Sequence, residues 1–307
     1  MQKRIVEVEN LVKRYKTVTA VDNISFDVYK GEIFSLVGPN GAGKTTTVEI
    51  LECLRSPTSG SARVLGFDVI KNENEIKKRI GVMPQDFNTF ERLTVKENVE
   101  LIAKIYQVNP DTRTVLEELG IWDERDRKFE ALSGGMKRRV GISMALISDP
   151  ELLFLDEPTT GLDPQARRET WEVINRLKKL GKTIFLTSHY MEEVEYLCDR
   201  AAVMVQGGII ASGAVKDLIT QYGGKTTVHV ENGDEKIKTI FTPLADTVII
   251  DEKGVTAAFQ TKKKASQALV AVYQLGDDYA VTVTEPGMNE VFLQLAGGRV
   301  NERGELI

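Results

Sequence analysis

Cysteine and histidine are nearly missing from this chain: two of each occur in 307 residues. Cys53 and Cys198 lie far apart with no neighbouring metal-ligand pattern, and they read as buried, reduced thiols. Long apolar runs are absent as well. None reaches the ~18 residues that a membrane span requires, and the opening MQKRIVEVENLVKRY has no apolar core of signal-peptide length. The expected location is therefore the cytoplasm, with any membrane role dependent on a partner. Positive charge is in deficit, with 40 Lys and Arg against 45 Asp and Glu, a net charge of −5 and a pI near 5.4. That balance argues against a nucleic-acid binder, whose contact surface would be basic. It leaves a nucleotide site open, because the compensating charge there is local. There is no internal repeat and no low-complexity tract.

The sequence that is present reads as an α/β chain with two parts. Residues up to 37 read as strands, with Lys30-Gly31 as a turn, and EIFSLVG runs straight into GPNGAGKTT. KTTTVEILECL follows as a helix with Val48, Leu51 and Leu54 at helical spacing. Residues from about 86 to 148 are mostly helical: TVKENVELIAKIY puts Val95, Val99, Ile102 and Tyr106 on one face, and SGGMKRRVGISMALIS forms a second helix. ELLFLDEP and KTIFLTSH are short apolar runs that suit strands buried on both faces, with PQARRETWEVINRLKKL as the crossover helix between them. AAVMVQGGIIASG reads as a hairpin around Gly207-Gly208. From about Lys225 onward, alternating runs and two helices describe a small α+β appendage. Its last helix places Met288, Val291, Phe292 and Leu295 on one face. The expected boundary puts a main domain at 1–222 and the accessory domain at 223–307.

Chemistry enters with the glycine loop. Gly38, Gly41 and Gly43 let successive N–H groups turn toward one anion, and Pro39, Asn40, Ala42 and Thr46 complete that cradle. The helix that follows adds its positive end. Lys44 is placed to reach the β- and γ-phosphates, and Thr45 to offer a hydroxyl to Mg²⁺. Asp156 and Glu157 end a buried strand. A solvated strand end would look the same, but beside a phosphate loop the pair suits a metal-side carboxylate and a general base for an attacking water. His189 ends a second apolar strand, a place where a histidine is commonly a structural hydrogen bonder. His229, in TTVHVEN, has no polar company and reads as structural.

LSGGMKRR, Leu132 to Arg139, resembles the signature sequence of ATP-binding cassette ATPases, and the order of elements around it is similar to that family over residues 3 to 222. The order runs from an aromatic at Tyr15 through the glycine loop, Gln85 in VMPQD, the signature, the acidic pair and Asp163 in GLDP, to His189. The resemblance implies a P-loop NTPase with a mixed sheet core, an antiparallel β subdomain and a helical subdomain. It implies ATP and Mg²⁺ as ligands. Tyr15 would stack on adenine, Gln85 would contact metal and water, and Asp156 would hold the metal. Glu157, with His189, Lys44 and Gln85 around it, would run hydrolysis. Ser133, Gly134 and Gly135 would close on the nucleotide of another protomer, with Asp163 at the seam. A head-to-tail dimer follows, either a homodimer or a heterodimer with a second ATPase of this kind. Met136 departs from the glutamine common at its position, which implies altered helix contacts rather than lost activity.

One cassette without a membrane span disfavours the paired-cassette translation factors and the coiled-coil chromosome ATPases. A separate ATPase subunit for an integral membrane permease is what the resemblance implies, working at the cytoplasmic face of the membrane. GLDPQARRETW and EPGMNEVFLQLAGG look like the daunorubicin-resistance type of exporter ATPase, which handles drugs, lipids or polysaccharides. The rival reading is a soluble switch whose ATP-dependent dimerisation matters without transport.

Overall fold

The computed structural model describes residues 3–275, 279–298, 300–301 and 304–306. Two compact units emerge: residues 1–215 with 298–307, and residues 216–297.

The first unit begins with β1 (Arg4–Tyr15) and β2 (Val18–Tyr29), joined as an antiparallel hairpin. Next come β3 (Ile33–Val37), α1 (Lys44–Leu51), β4 (Ser59–Val64), β5 (Phe67–Asp68), α2 (Glu73–Lys77) and β6 (Ile80–Met83). A helical stretch holds α3 (Val95–Ile105), α4 (Thr112–Glu118) and α5 (Gly134–Leu146). The chain then alternates through β7 (Leu152–Asp156), α6 (Pro164–Lys179), β8 (Thr183–Ser188), α7 (Met191–Leu197), β9 (Arg200–Val205) and β10 (Gly208–Ala214). One sheet is antiparallel, in the order β2-β1-β4-β5. The other is mixed, in the order β10-β9-β3-β8-β7-β6, with only β9–β10 antiparallel.

The central strands β3, β7 and β8 are near-continuous apolar runs, which is why every residue in them is buried whichever face it points to. Phe34, Phe154 and Phe185 are cross-strand partners, so their rings stand in one row, with centroids 5.4 Å apart at each step. Phe26 of β2 stacks on Phe34 at 5.3 Å and ties the antiparallel sheet to that row. Each such pair adds about 0.5–1.5 kcal/mol beyond its buried area. On the opposite face Ile33, Leu153, Leu155, Ile184 and Leu186 join the core formed with Val99, Val140, Ile142, Ile174 and Leu177. Met136 packs at the edge of that same core, in keeping with a helix-contact role for the unusual signature residue.

Two side chains expected on buried helix faces lie elsewhere. α1 stops at Leu51 and Cys53 turns left-handed (φ +59°), so Leu54 is exposed. α3 stops at Ile105, leaving Tyr106 as an exposed C-cap. Both line an open groove of about 630 Å³ together with Ile80, Val82 and Glu52. Of the thiols, Cys53 is buried, whereas Cys198 is only half-buried.

The loop entering α3 is held by a residue whose periodicity conceals it. Asn98 is fully buried, donates to the carbonyls of Phe90 (3.1 Å) and Thr94 (3.0 Å), and accepts from Thr89 Oγ1 (2.7 Å). Replacing it with Leu keeps the branched shape but strands these partners. We expect Asn98→Leu to cost about 2–3 kcal/mol, read as a lower denaturant midpoint at unchanged slope. A midpoint equal to wild type would contradict this role.

The second unit contains most of α8 (Val215–Tyr222), then β11 (Thr226–Glu231), α9 (Glu235–Phe241), β12 (Thr247–Asp251), β13 (Gly254–Phe259), α10 (Lys262–Tyr273), β14 (Val281–Thr284) and α11 (Met288–Ala296). Its antiparallel sheet runs β12-β13-β11-β14. Val228, Val230, Phe259, Phe241 and Val272 form its core. Met288, Val291 and Phe292 of α11 are buried and Leu295 is half-buried, so the expected apolar face is present. His229 Nδ1 lies 2.9 Å from Thr256 Oγ1 across the β11–β13 pair.

Candidate functional site

Parallel pairing gathers the chemistry at one edge. Val37 lies opposite Ser188, and Asp156 opposite Thr187, so the residues that follow β3, β7 and β8 all emerge together. These are the glycine loop, Glu157 and His189.

The loop closes around a cavity of about 570 Å³ lined by Tyr15, Ala20, Asn40, Gly41, Gly43, Lys44, Thr45, Thr46, Gln85 and Glu157. Gly43 shows why the loop needs glycine. Its φ is +103° and a Cβ there would stand 2.2 Å from the Ala20 carbonyl oxygen. Lys44 is buried and its Nζ donates to the carbonyls of Gly38 (2.8 Å) and Pro39 (3.0 Å). Burial pulls the Lys44 ammonium below its usual range, against the raising effect of Glu157 and Asp156. Ala42 is buried beside them, its N–H donated to the Pro39 carbonyl at 3.2 Å. Tyr15 is about one-third exposed, with Lys13 Nζ 5.1 Å from its ring centre and the Arg55 guanidinium at 5.7 Å.

Glu157 is the meeting point. Its Oε2 accepts from Gln85 Nε2 (3.2 Å) and Thr160 Oγ1 (3.0 Å), and its Oε1 lies 3.6 Å from Lys44 Nζ. Burial alone would push this carboxyl up, but His189, Lys44 and Thr160 outweigh it and hold it below its usual range. The group is thus an anion at neutral pH. Its backbone is left-handed (φ +47°), a conformation that costs a non-glycine residue on the order of 1 kcal/mol or more and that clusters at functional sites. Asp156 stands behind it and accepts from the Thr187 hydroxyl, while the Glu157 N–H donates to the same Thr187 oxygen at 3.0 Å. Burial raises the Asp156 carboxyl and the Thr187 hydrogen bond offsets part of that. His189 is buried, with Nδ1 3.1 Å from Glu157 Oε2 but not aligned for a hydrogen bond, and its Nε2 finds no partner among the described residues. Buried polar atoms are as a rule paired, so this ring nitrogen stands out.

Other predicted residues stay apart from this cavity. Ser133 caps α5, its Oγ accepting from the Met136 N–H (3.3 Å). It and Gly134 are exposed, whereas Gly135 is buried against Ala166. Asp163 is exposed and caps α6, accepting from the Ala166 N–H at 2.9 Å. None of these four lines the cavity of its own chain.

Three residues not singled out in the sequence complete the wiring. Arg138, inside the signature, donates to the Gln85 carbonyl (2.8 Å) and reaches the Thr160 carbonyl (3.4 Å), joining the signature helix to both flanks of Glu157. Thr187 orders the acidic pair. Glu193, four residues past His189, is buried and accepts from Thr159 Oγ1 (2.6 Å) and Trp171 Nε1 (2.9 Å). Arg138 stood within a recognised motif. The other two became meaningful only through residues distant in sequence.

Three comparisons extend the geometry. The family described as ABC transporter matches residues 21–160. The Nod factor export ATP-binding protein I of Ralstonia nicotianae is 41% identical over 97% of this chain and 95% of its own. The daunorubicin/doxorubicin resistance ATP-binding protein of Streptomyces peucetius is 32% identical over 98% and 94% respectively. A solved dimeric ATP-binding cassette in a post-hydrolysis state, bound to ADP and phosphate, superposes with a TM-score of 0.61 at 27% identity. That match covers 68% of this chain and 98% of the cassette.

Proposed function

Because this chain belongs to the ATP-binding cassette family of transporter ATPases, we propose that it is the ATP-hydrolysing subunit of an exporter, working as an ATP-sandwich dimer on a separate membrane permease. The observation that carries this is the convergence of Lys44, Gln85 and His189 on Glu157 at the wall of the P-loop cavity. The P-loop N–H groups and Lys44 bind the phosphates, and Lys44 exchanges its carbonyl partners for phosphate oxygens. Glu157 holds the attacking water and takes its proton. His189 offers its unpartnered Nε2 to the γ-phosphate, and Gln85 fixes the carboxylate against which the water is aimed. Tyr15 presents its ring to adenine.

The residues fit Mg²⁺. Among the described residues no group of three or more His, Cys, Asp or Glu could hold an ion alone. The hydroxyl of Thr45, the amide of Gln85 and the carboxylate of Asp156 instead supply a partial oxygen set that suits a hard cation sharing the phosphates as ligands. When bound, Mg²⁺ neutralises charge building on the β- and γ-phosphates.

Dimer use of the signature is supported by Ser133, Gly134 and Asp163 lying exposed and outside their own cavity. The solved cassette described above as dimeric supports it as well. Export is supported by relatives named for Nod factor export and daunorubicin/doxorubicin resistance. We assign nucleotide handling to residues 1–222 and an accessory role to residues 223–307. Among the described residues no helix is long and apolar enough to cross a membrane. Attachment to the cytoplasmic face would therefore come through the permease.

The groove holding Leu54, Tyr106, Ile80 and Val82 is the surface we assign to that contact. Burial pushes the Glu52 carboxyl at its floor up to about 8. We expect recovery in membranes only when the permease is co-expressed, and we expect Leu54→Asp to reduce that recovery about tenfold while soluble ATPase activity persists. Membrane recovery without the permease would count against the reading.

A further inference from the structure

His189 leans on its neighbour in sequence. The Tyr190 ring lies 4.1 Å from the His189 ring, centre to centre, at a tilt of 41°. The Arg167 guanidinium stands 4.1 Å from the centre of the same Tyr190 ring. A cation is drawn to the face of an aromatic ring, and more strongly where water is partly excluded. Both side chains are half-buried, and Arg167 Nε is buried with no hydrogen-bond partner among the described residues. The Tyr190 ring is thus the contact that holds this guanidinium.

Arg167 belongs to the first turn of α6, and its N–H donates to the Asp163 carbonyl at 2.9 Å. Asp163 is the N-cap of that helix. The stretch from Glu157 to Asp163 is bonded within itself: the Thr160 N–H reaches the Glu157 carbonyl (3.3 Å) and the Leu162 N–H the Thr159 carbonyl (3.2 Å). A second tie runs from this stretch to α7. The Thr159 hydroxyl and Trp171 Nε1 of α6 donate to one oxygen of Glu193, at 2.6 and 2.9 Å. Glu193 lies in the first turn of α7, whose N-cap is Tyr190. A helix of seven residues is too short to hold itself, so its place is set by such side-chain contacts. The backbone that carries His189 is therefore fastened at Tyr190 and Glu193 to the segment that carries Glu157 and Asp163.

We infer that Arg167, Tyr190 and Glu193 are positioning residues for His189. They set the angle of its imidazole toward Glu157 and the γ-phosphate, and none of the three lines the nucleotide cavity. The inference rests on the role given to His189 above.

The test is steady-state ATP hydrolysis by full-chain variants. Tyr190→Leu removes the ring that joins His189 to Arg167. Its kcat should fall about tenfold, the cost of a small misplacement, while KM for ATP stays within about twofold because the P-loop holds the nucleotide. Tyr190→Phe keeps the ring and should stay within about twofold of wild-type kcat. Arg167→Met, a gentler change should Tyr190→Leu fail to fold, should lower kcat about fivefold. A purely structural role would lower the melting temperature and leave kcat of the folded enzyme unchanged. In a His189→Ala background, Tyr190→Leu should alter turnover by less than about twofold, because its effect runs through an imidazole already lost. The chain has only two histidines, so the His189 ring signal is identified in a labelled NMR spectrum by assigning the other with His229→Gln. Arg167→Met should shift or broaden the His189 signal. Wild-type kcat in folded Tyr190→Leu and Arg167→Met, or full additivity with His189→Ala, would overturn the inference. If His189→Ala alone kept wild-type turnover, the role of His189 itself would fail, so the two failures are distinct.

Discussion

Glu157→Gln should bind ATP with affinity within about threefold of wild type while steady-state turnover falls by about 10²- to 10³-fold. The side chain keeps its shape, so the P-loop, Lys44 and Thr45 hold the phosphates as before. The anion we propose as the base for the attacking water is removed. Its contacts make this loss hard to compensate. Gln85, Thr160 and His189 all address Oε2, and Lys44 faces Oε1. Asp156 is poorly placed to stand in, because it lies behind Glu157 with its carboxylate engaged by the Thr187 hydroxyl. Because Glu157 is held below the usual carboxylate range, the acidic limb of the rate profile should lie below that range too. It should vanish with the substitution. The measurement is ATP binding by equilibrium titration beside phosphate release. Near-normal phosphate release would remove Glu157 from the role of base.

Ser133→Arg is the second large effect. Ser133 is exposed and caps α5, and the expected partner of that helix end is the γ-phosphate held by another protomer. Losing the cap costs about 1 kcal/mol of stability, a small change in melting temperature. Filling the trans site with a guanidinium should lower turnover about 100-fold. Ser133→Asp separates the two effects. Asp caps a helix as well as Ser does but sets a carboxylate against a phosphate, so stability should hold while turnover still collapses. Mixing Ser133→Arg with Glu157→Gln should restore activity, since each mixed dimer rebuilds one intact site from the two sound halves. Wild-type turnover in folded Ser133→Arg would refute the shared site.

Legibility in the sequence followed locality. The glycine loop, the acidic pair, the signature and His189 each sit within a few residues, and each is shaped by a local demand such as a left-handed glycine, a buried strand end or a helix cap. The alternating strands and the α11 face were legible for the same reason, because side-chain periodicity is a property of the segment itself. Leu54 and Tyr106 misled because periodicity cannot show where a helix stops. Cys53 turning left-handed ends one, and the last turn at Ile105 ends the other. Asn98, Thr187 and Glu193 gave no signal. A buried polar residue is defined by partners that only folding supplies.

By itself, then, the sequence determined a mixed α/β cassette with a glycine loop, an acidic pair ending a buried strand and a signature helix, because each of those is written in short-range steric and charge patterns. The tertiary structure alone decided that Lys44, Gln85 and His189, from three separate segments, meet at Glu157. It also decided that Arg138 ties the signature to Gln85. Parallel pairing of β3, β7 and β8 brings strand ends from across the sequence to one edge. Contacts of that separation follow from sheet register and chain return, which no local pattern encodes.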